Sequence, residues 1–135
     1  MAHMCGRYAL WDVEELDRNY PQIEEVKPKL TPRYNAAPGQ FLPVVTKDGL
    51  ELMKWGLIPR WAKDPSSQGY TLINAKAETI LEKPTYRNLL KDHRCIVPAN
   101  GFFEWKSDGK LKTPHYITLK ERKMFGFAGL WDTWK

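Results

Sequence analysis

The dipeptide Asp48-Gly49 lies between two apolar runs, Phe41–Thr46 and Leu50–Trp55, and constrains the fold more than any other stretch. A two-residue connection containing glycine can take the positive φ that matches the twist of an antiparallel pair, so the spacing predicts a β-hairpin. The same grammar recurs towards the C-terminus. Arg94–Val97, Phe102–Trp105, His115–Leu119 and Met124–Leu130 are short runs divided by turns containing Gly or Asp, and each reads as a strand. Cys5–Leu10 and Thr71–Lys76 read as two more. Helices are few and short. Asp12 with Glu15 has the spacing of an N-cap and capping box, opening a helix to about Tyr20. Pro84 can open another to about Lys91. Pro21–Pro38 reads as irregular because it carries Pro21, Pro28, Pro32 and Pro38, and Asp64–Gly69 reads as a loop. The expected class is α+β, mostly antiparallel strands forming a strongly curved sheet or partial barrel with a few short helices.

A chain of 135 residues fits one domain, without repeats or linkers. No run approaches the roughly 18 apolar residues of a membrane span. Two cysteines, Cys5 and Cys95, are too few for a disulfide scaffold, which points to a reduced, cytoplasmic setting. Cys95, His93 and His115 do not have metal-ligand spacing. There is no P-loop, G-x-S-x-G or G-x-G-x-x-G, so neither a metal nor a nucleotide cofactor is expected. The net charge of +5 suits a polyanionic partner, and six Trp, six Tyr and five Phe interleave with Lys and Arg. Proteins that bind single-stranded nucleic acid use this mixture to follow phosphates while stacking bases, although the same rings can fill a core.

Met1-Ala2-His3 reads as a cloning remnant ahead of an initiator, Met4. Removal of that methionine would leave Cys5 with a free α-amine beside its thiol. With a reference pKa of about 7.7–8.0, such an amine is substantially neutral and nucleophilic near neutrality. It can condense with an aldehyde to an imine, on which the neighbouring thiol can close as a five-membered thiazolidine. The alternative is that Cys5 is a small buried hydrophobe at the head of a strand. Glu104 lies among aromatic residues in Phe102-Phe-Glu-Trp105, where strand alternation puts it on the face of Phe102 and opposite Phe103 and Trp105. It is a candidate acid–base group or an edge carboxylate in water. Asn74, at the end of a predicted strand, could hold a sugar or phosphate or simply form a turn. Arg7, Lys54, Arg60, Lys63, Lys76 and Arg87 are candidate phosphate contacts or solvated charges.

Six segments in order carry a resemblance. They are Cys5-Gly-Arg-Tyr8, Tyr34-Asn-Ala-Ala-Pro-Gly39, Trp55-Gly-Leu-Ile-Pro-Arg-Trp61, Asn74-Ala-Lys-Ala-Glu-Thr79, Arg94-Cys-Ile-Val-Pro-Ala-Asn-Gly-Phe-Phe-Glu-Trp105 and Gly129-Leu-Trp131. Together they resemble the SRAP family (SOS-response-associated peptidases) of abasic-site-processing proteins. The resemblance implies that residues 4–135 form an SRAP domain that senses and shields abasic sites in single-stranded DNA. It implies that Cys5 is the nucleophile of a covalent thiazolidine crosslink, with Glu104 as acid–base group and Asn74 orienting the sugar. Arg7, Pro38, Trp61, Lys76, Arg87 and Trp105 fall where the family grips DNA, although Lys76 stands where arginine is common. It further implies peptidase and lyase-type chemistry, a monomer, and a bacterial protein associated with the nucleoid when bound to DNA. Two departures stand out. The family's catalytic histidine lies beyond the Gly-Leu-Trp motif in a His-Asp-Arg-Met-Pro-like segment. No residue here matches it, neither His93 nor His115 takes that role, and a truncated C-terminus is expected. Residues 1–4 also leave the Cys5 nitrogen an amide, so the chain as written is expected to be inactive in crosslinking. A thiol peptidase and a non-catalytic single-strand binder are the rival readings.

Overall fold

Antiparallel pairing organises almost everything in the chain. The computed structural model describes residues 5–23, 30–64, 66 and 72–135. These contain strands β1 (Tyr8–Leu10), β2 (Arg33–Ala36), β3 (Phe41–Thr46), β4 (Gly49–Lys54), β5 (Arg94–Ala99), β6 (Gly101–Asp108), β7 (Leu111–Ile117) and β8 (Phe125–Leu130). Three short helices accompany them, α1 (Glu15–Asn19), α2 (Pro84–Arg87) and α3 (Leu89–Asp92). The strands form two four-stranded sheets, ordered β2-β1-β6-β7 and β4-β3-β5-β8. The curvature expected of one sheet is thus divided between two, and neither closes as a barrel. A single residue, Asn100, separates β5 of one sheet from β6 of the other, so the chain turns the corner between sheets there.

The predicted hairpin forms, with β3 and β4 in register from Phe41↔Lys54 to Thr46↔Gly49, but its two-residue connection is Lys47-Asp48 and Gly49, at φ 125°, is already the first residue of β4. β5 and β8 pair from Arg94↔Leu130 to Ala99↔Phe125, and β6 and β7 from Phe102↔Ile117 to Asp108↔Leu111. Where sequence periodicity fell short, the reason is tertiary or competitive. The helix begins at Glu15, not Asp12. Asp12 Oδ1 does accept the Glu15 amide at 3.3 Å, but the Glu15 carboxylate turns to Arg18 and Asn19 and leaves the capping box half made. The predicted Pro84–Lys91 helix is broken into α2 and α3. β2 lies within the segment read as irregular, because pairing with β1 makes a strand of Arg33-Tyr-Asn-Ala36. Of Thr71–Lys76, only Leu72 pairs, in an isolated bridge to Leu57, and Thr71 lies outside the described residues. Most of the Asp64–Gly69 loop and all of Met1–Met4 also lie outside them.

The principal core gathers Tyr8, Leu10, Leu16, Ala36, Leu42, Ala99 and Met124, with Trp55, Phe102, Phe125 and Phe127 packed against it. Phe102, Phe125 and Phe127 meet edge to face at 5.1–6.3 Å between ring centroids, the arrangement aromatic quadrupoles favour. β1 is buried along its whole length and lies between β2 and β6, so whatever precedes it is fixed at the centre of its sheet.

Candidate functional site

Cys5 lies just before β1 and owes its position to contacts distant in sequence. The Arg7 carbonyl accepts the Phe103 amide at 3.0 Å, which carries the β1–β6 ladder back towards Cys5. The same carbonyl accepts the Cys5 thiol at 3.3 Å. On the other side the Asn74 side-chain amide donates to the Cys5 carbonyl at 2.8 Å. Asn74 is itself held. The Trp55 indole donates to the Ile73 carbonyl at 2.9 Å, and the Tyr86 hydroxyl of α2 donates to the Asn74 carbonyl at 3.3 Å. Asn74 therefore acts as a clamp on the backbone of Cys5, with its amide oxygen left for other partners.

Burial pushes the Cys5 thiol above its ordinary pKa; the bond to the Arg7 carbonyl opposes the rise and the negative charge of Glu104 adds to it. Glu104 is thus within electrostatic reach of the Cys5 thiol. It is half-buried on β6, directly across the ladder from His115. The expected alternation holds around it. Phe102 faces the core rings, while Phe103 packs on Tyr116 at 4.9 Å. A cavity of about 970 Å³ opens beside Cys5 and is lined by Cys5, Tyr8, Trp55, Asn74, Phe127 and Trp131 among others. Its wall does not include Glu104, whose link to Cys5 is through its charge.

The structure therefore brings Cys5, Asn74 and Glu104 together. The candidate DNA contacts spread out from them. Arg7 is half-buried, and its Nε is buried with no hydrogen-bond partner among the described residues. Pro38 occupies the tight turn Ala37–Gln40 after β2, whose next residue, Gly39, has φ 87° as a type II turn requires. Trp61 is 66% exposed and Trp105 38% exposed, and Lys76 and Arg87 are also on the surface. Arg87 follows Tyr86, which ties α2 to Asn74. Arg60 differs from the other candidate phosphate contacts, because its guanidinium binds both Asp132 carboxylate oxygens at 2.9 and 3.1 Å. Sequence reasoning missed Tyr8, although it lies inside the Cys-Gly-Arg-Tyr motif. It also missed Trp55, whose indole fixes the segment of Asn74.

Among the described residues no group of three or more His, Cys, Asp or Glu could hold a metal ion, and no helix is long and apolar enough to cross a membrane.

A buried strand led by a clamped cysteine, with a carboxylate in reach and a cavity alongside, defines the class of site. The SOS response associated peptidase (SRAP) family matches residues 4–135, and the chain belongs to it. The chain is 44% identical over 143 residues to the abasic site processing protein YoaM of Bacillus subtilis, covering 97% of this chain and 60% of that one. It is 45% identical over 140 residues to YoqW of Bacillus phage SPbeta, also an abasic site processing protein, covering 97% and 61%. It is 32% identical over 139 residues to the abasic site processing protein HMCES of Xenopus tropicalis, covering 79% and 42%. A crystal structure of a protein from Bacteroides thetaiotaomicron superposes with a TM-score of 0.84 at 29% identity, covering 96% of this chain and 61% of that one. The chain thus spans about three-fifths of the length of the bacterial and phage relatives.

Proposed function

We propose that this chain is the abasic-site-recognising portion of an SRAP protein, which captures the sugar aldehyde of an abasic site in single-stranded DNA as a thiazolidine on Cys5. The observation that carries the reading is the Asn74–Cys5 clamp at 2.8 Å with Glu104 in electrostatic reach. The clamp supports the reading because it holds the backbone of the residue whose thiol, beside a free α-amine, would take up the aldehyde carbon.

The chemistry proceeds in balanced steps once residues 1–4 are removed and the Cys5 nitrogen is an amine. The amine adds to the aldehyde carbon of the ring-opened sugar, and loss of water gives an imine. The thiol sulfur then adds to the imine carbon, and its proton ends on the nitrogen. No redox partner is needed. A carboxyl at the Glu104 position can hand a proton to the departing hydroxyl and take one back on reversal. Arg7, Pro38, Trp61, Lys76, Arg87 and Trp105 would grip the strand, the cations by phosphate contact and the indoles by stacking on bases.

The raised Cys5 thiol pKa favours this reading over a thiol peptidase. A cysteine peptidase needs a thiolate at neutral pH, achieved by lowering the thiol pKa. In thiazolidine formation the amine makes the first attack, so a thiol kept protonated until the imine forms is compatible with the site.

The test is intact-mass spectrometry of the chain cleaved to begin at Cys5, mixed with a single-stranded oligonucleotide carrying one abasic site. A stable adduct is expected without added reductant. Cys5→Ser should retain only an imine that borohydride must trap. An undiminished, reductant-independent adduct from Cys5→Ser would refute the thiazolidine.

A further inference from the structure

Tyr8 and Trp131 both line the cavity beside Cys5 with a buried polar group that has no hydrogen-bond partner among the described residues, and of the two it is Tyr8 whose core cluster Cys5 packs against. Its side chain is 3% exposed, and its ring packs tilted on Trp55 at 5.5 Å and edge-on to Phe127 at 6.1 Å. A phenylalanine would make those contacts equally well. Yet the hydroxyl is buried and has no hydrogen-bond partner among the described residues. Buried hydroxyls are almost always satisfied, and one left alone weakens the fold. Tyr8 and Cys5 line the same cavity, and Cys5 packs against the core cluster that contains Tyr8. Burial pushes the Tyr8 hydroxyl well above its ordinary pKa; Cys5, when ionised, adds to the rise and Arg33 of β2 opposes it. Tyr8 is thus among the residues lining the cavity that a ligand on Cys5 would enter, with its hydroxyl buried at that wall.

We propose that Tyr8 determines specificity: its hydroxyl donates a hydrogen bond to the hydroxyl that ring opening uncovers on an abasic sugar held at Cys5. The inference rests on the abasic-site reading above. The chemistry of the ligand supports it. Opening the sugar hemiacetal places an aldehyde at one end and frees a hydroxyl on the carbon that bore the ring oxygen. A site with a buried, otherwise unsatisfied donor discriminates strongly against ligands that lack the matching oxygen, because those leave the donor orphaned. The closed ring cannot offer that hydroxyl. Tyr8 would therefore select the ring-opened form, the only one that exposes the aldehyde to Cys5.

The proposal is tested without covalent chemistry, on the chain as it stands and on Tyr8→Phe. One probe is a single-stranded oligonucleotide whose abasic site has been reduced with borohydride, a ring-opened diol. The other carries a tetrahydrofuran analogue, a closed ring without a sugar hydroxyl at the anomeric carbon. Affinities are read by fluorescence anisotropy, and the melting temperature of each protein by circular dichroism. Wild type should bind the ring-opened probe roughly five- to tenfold more tightly than Tyr8→Phe does, the effect of one lost hydrogen bond. Both proteins should bind the tetrahydrofuran probe equally, and the melting temperature of Tyr8→Phe should be equal or higher. Equal affinities for the ring-opened probe, or an equal loss on both probes, overturns the role of Tyr8 and leaves the abasic-site reading intact. If wild type prefers neither probe over an undamaged strand, the abasic-site reading fails and this inference fails with it.

Discussion

Replacing Asn100 should cost this fold more stability than any other single polar substitution outside its hairpins. Asn100 is 2% exposed and stands alone between β5 and β6. Its Oδ1 accepts the backbone amides of Trp11 at 2.8 Å and Asp12 at 3.0 Å, and its Nδ2 donates to the Lys123 carbonyl at 2.7 Å. Its own amide donates to the Ala9 carbonyl at 2.8 Å. One side chain therefore joins the end of β1, the approach to α1 and the segment before β8 to the corner between the sheets. Asn100→Ala removes the three side-chain bonds and leaves two amides and a carbonyl without these partners. At about 0.5–1.5 kcal/mol net per bond, with some rescue by water near Trp11, the loss should be about 2–4 kcal/mol. Against a total of roughly 7–20 kcal/mol for a domain of this size, that is a large fraction. Equilibrium urea unfolding followed by tryptophan fluorescence measures it. Asn100→Asp is the sharper variant. It keeps the acceptor for the two amides but replaces the donor to the Lys123 carbonyl with an oxygen, so it should cost about the loss of that one bond together with the repulsion between the two oxygens. A loss below about 1 kcal/mol in Asn100→Ala would show that water replaces the side chain and that the corner does not depend on it.

Glu104→Gln keeps shape but removes the transferable proton, so the adduct should form or reverse roughly 10²–10⁴-fold more slowly while binding to undamaged single strands is unchanged. Stopped-time gel assays read this, and a rate within about twofold of wild type would make Glu104 structural. Cys95 is buried in β5, and burial raises its thiol from an ordinary 9.0 to about 11. Because the folded pKa is the higher one, the protonated thiol's contribution is complete below pH 9 and is lost as pH rises towards 11. Wild type should therefore lose roughly 2–3 kcal/mol more across that window than Cys95→Ala, measured by urea unfolding at each pH. Parallel pH profiles would show that the thiol titrates freely in the folded state.

Local chemistry determined much of this protein on its own. Asp48-Gly49 marks its hairpin because the short connection Lys47-Asp48 leads into a glycine that takes positive φ at the head of β4, and β5, β6 and β8 follow from short apolar runs between turns. Cys5, Asn74 and Glu104 stood out as candidates by residue type, but each kept a structural alternative until the order of the six motifs implied a role for it. Other features were decided only by packing. Arg33-Tyr-Asn-Ala36 has no strand signal of its own and becomes β2 because β1 offers it an edge. The division of eight strands into two sheets turns on Asn100, whose neighbours Trp11 and Lys123 are remote in sequence. The clamp from Asn74 to Cys5 spans 69 residues and exists only because Trp55 and Tyr86 hold the intervening segment in place. The orphaned hydroxyl of Tyr8 could not be inferred at all before the fold was known. Whether a buried donor finds a partner depends on which distant surfaces meet around it, and residue type and spacing do not encode that.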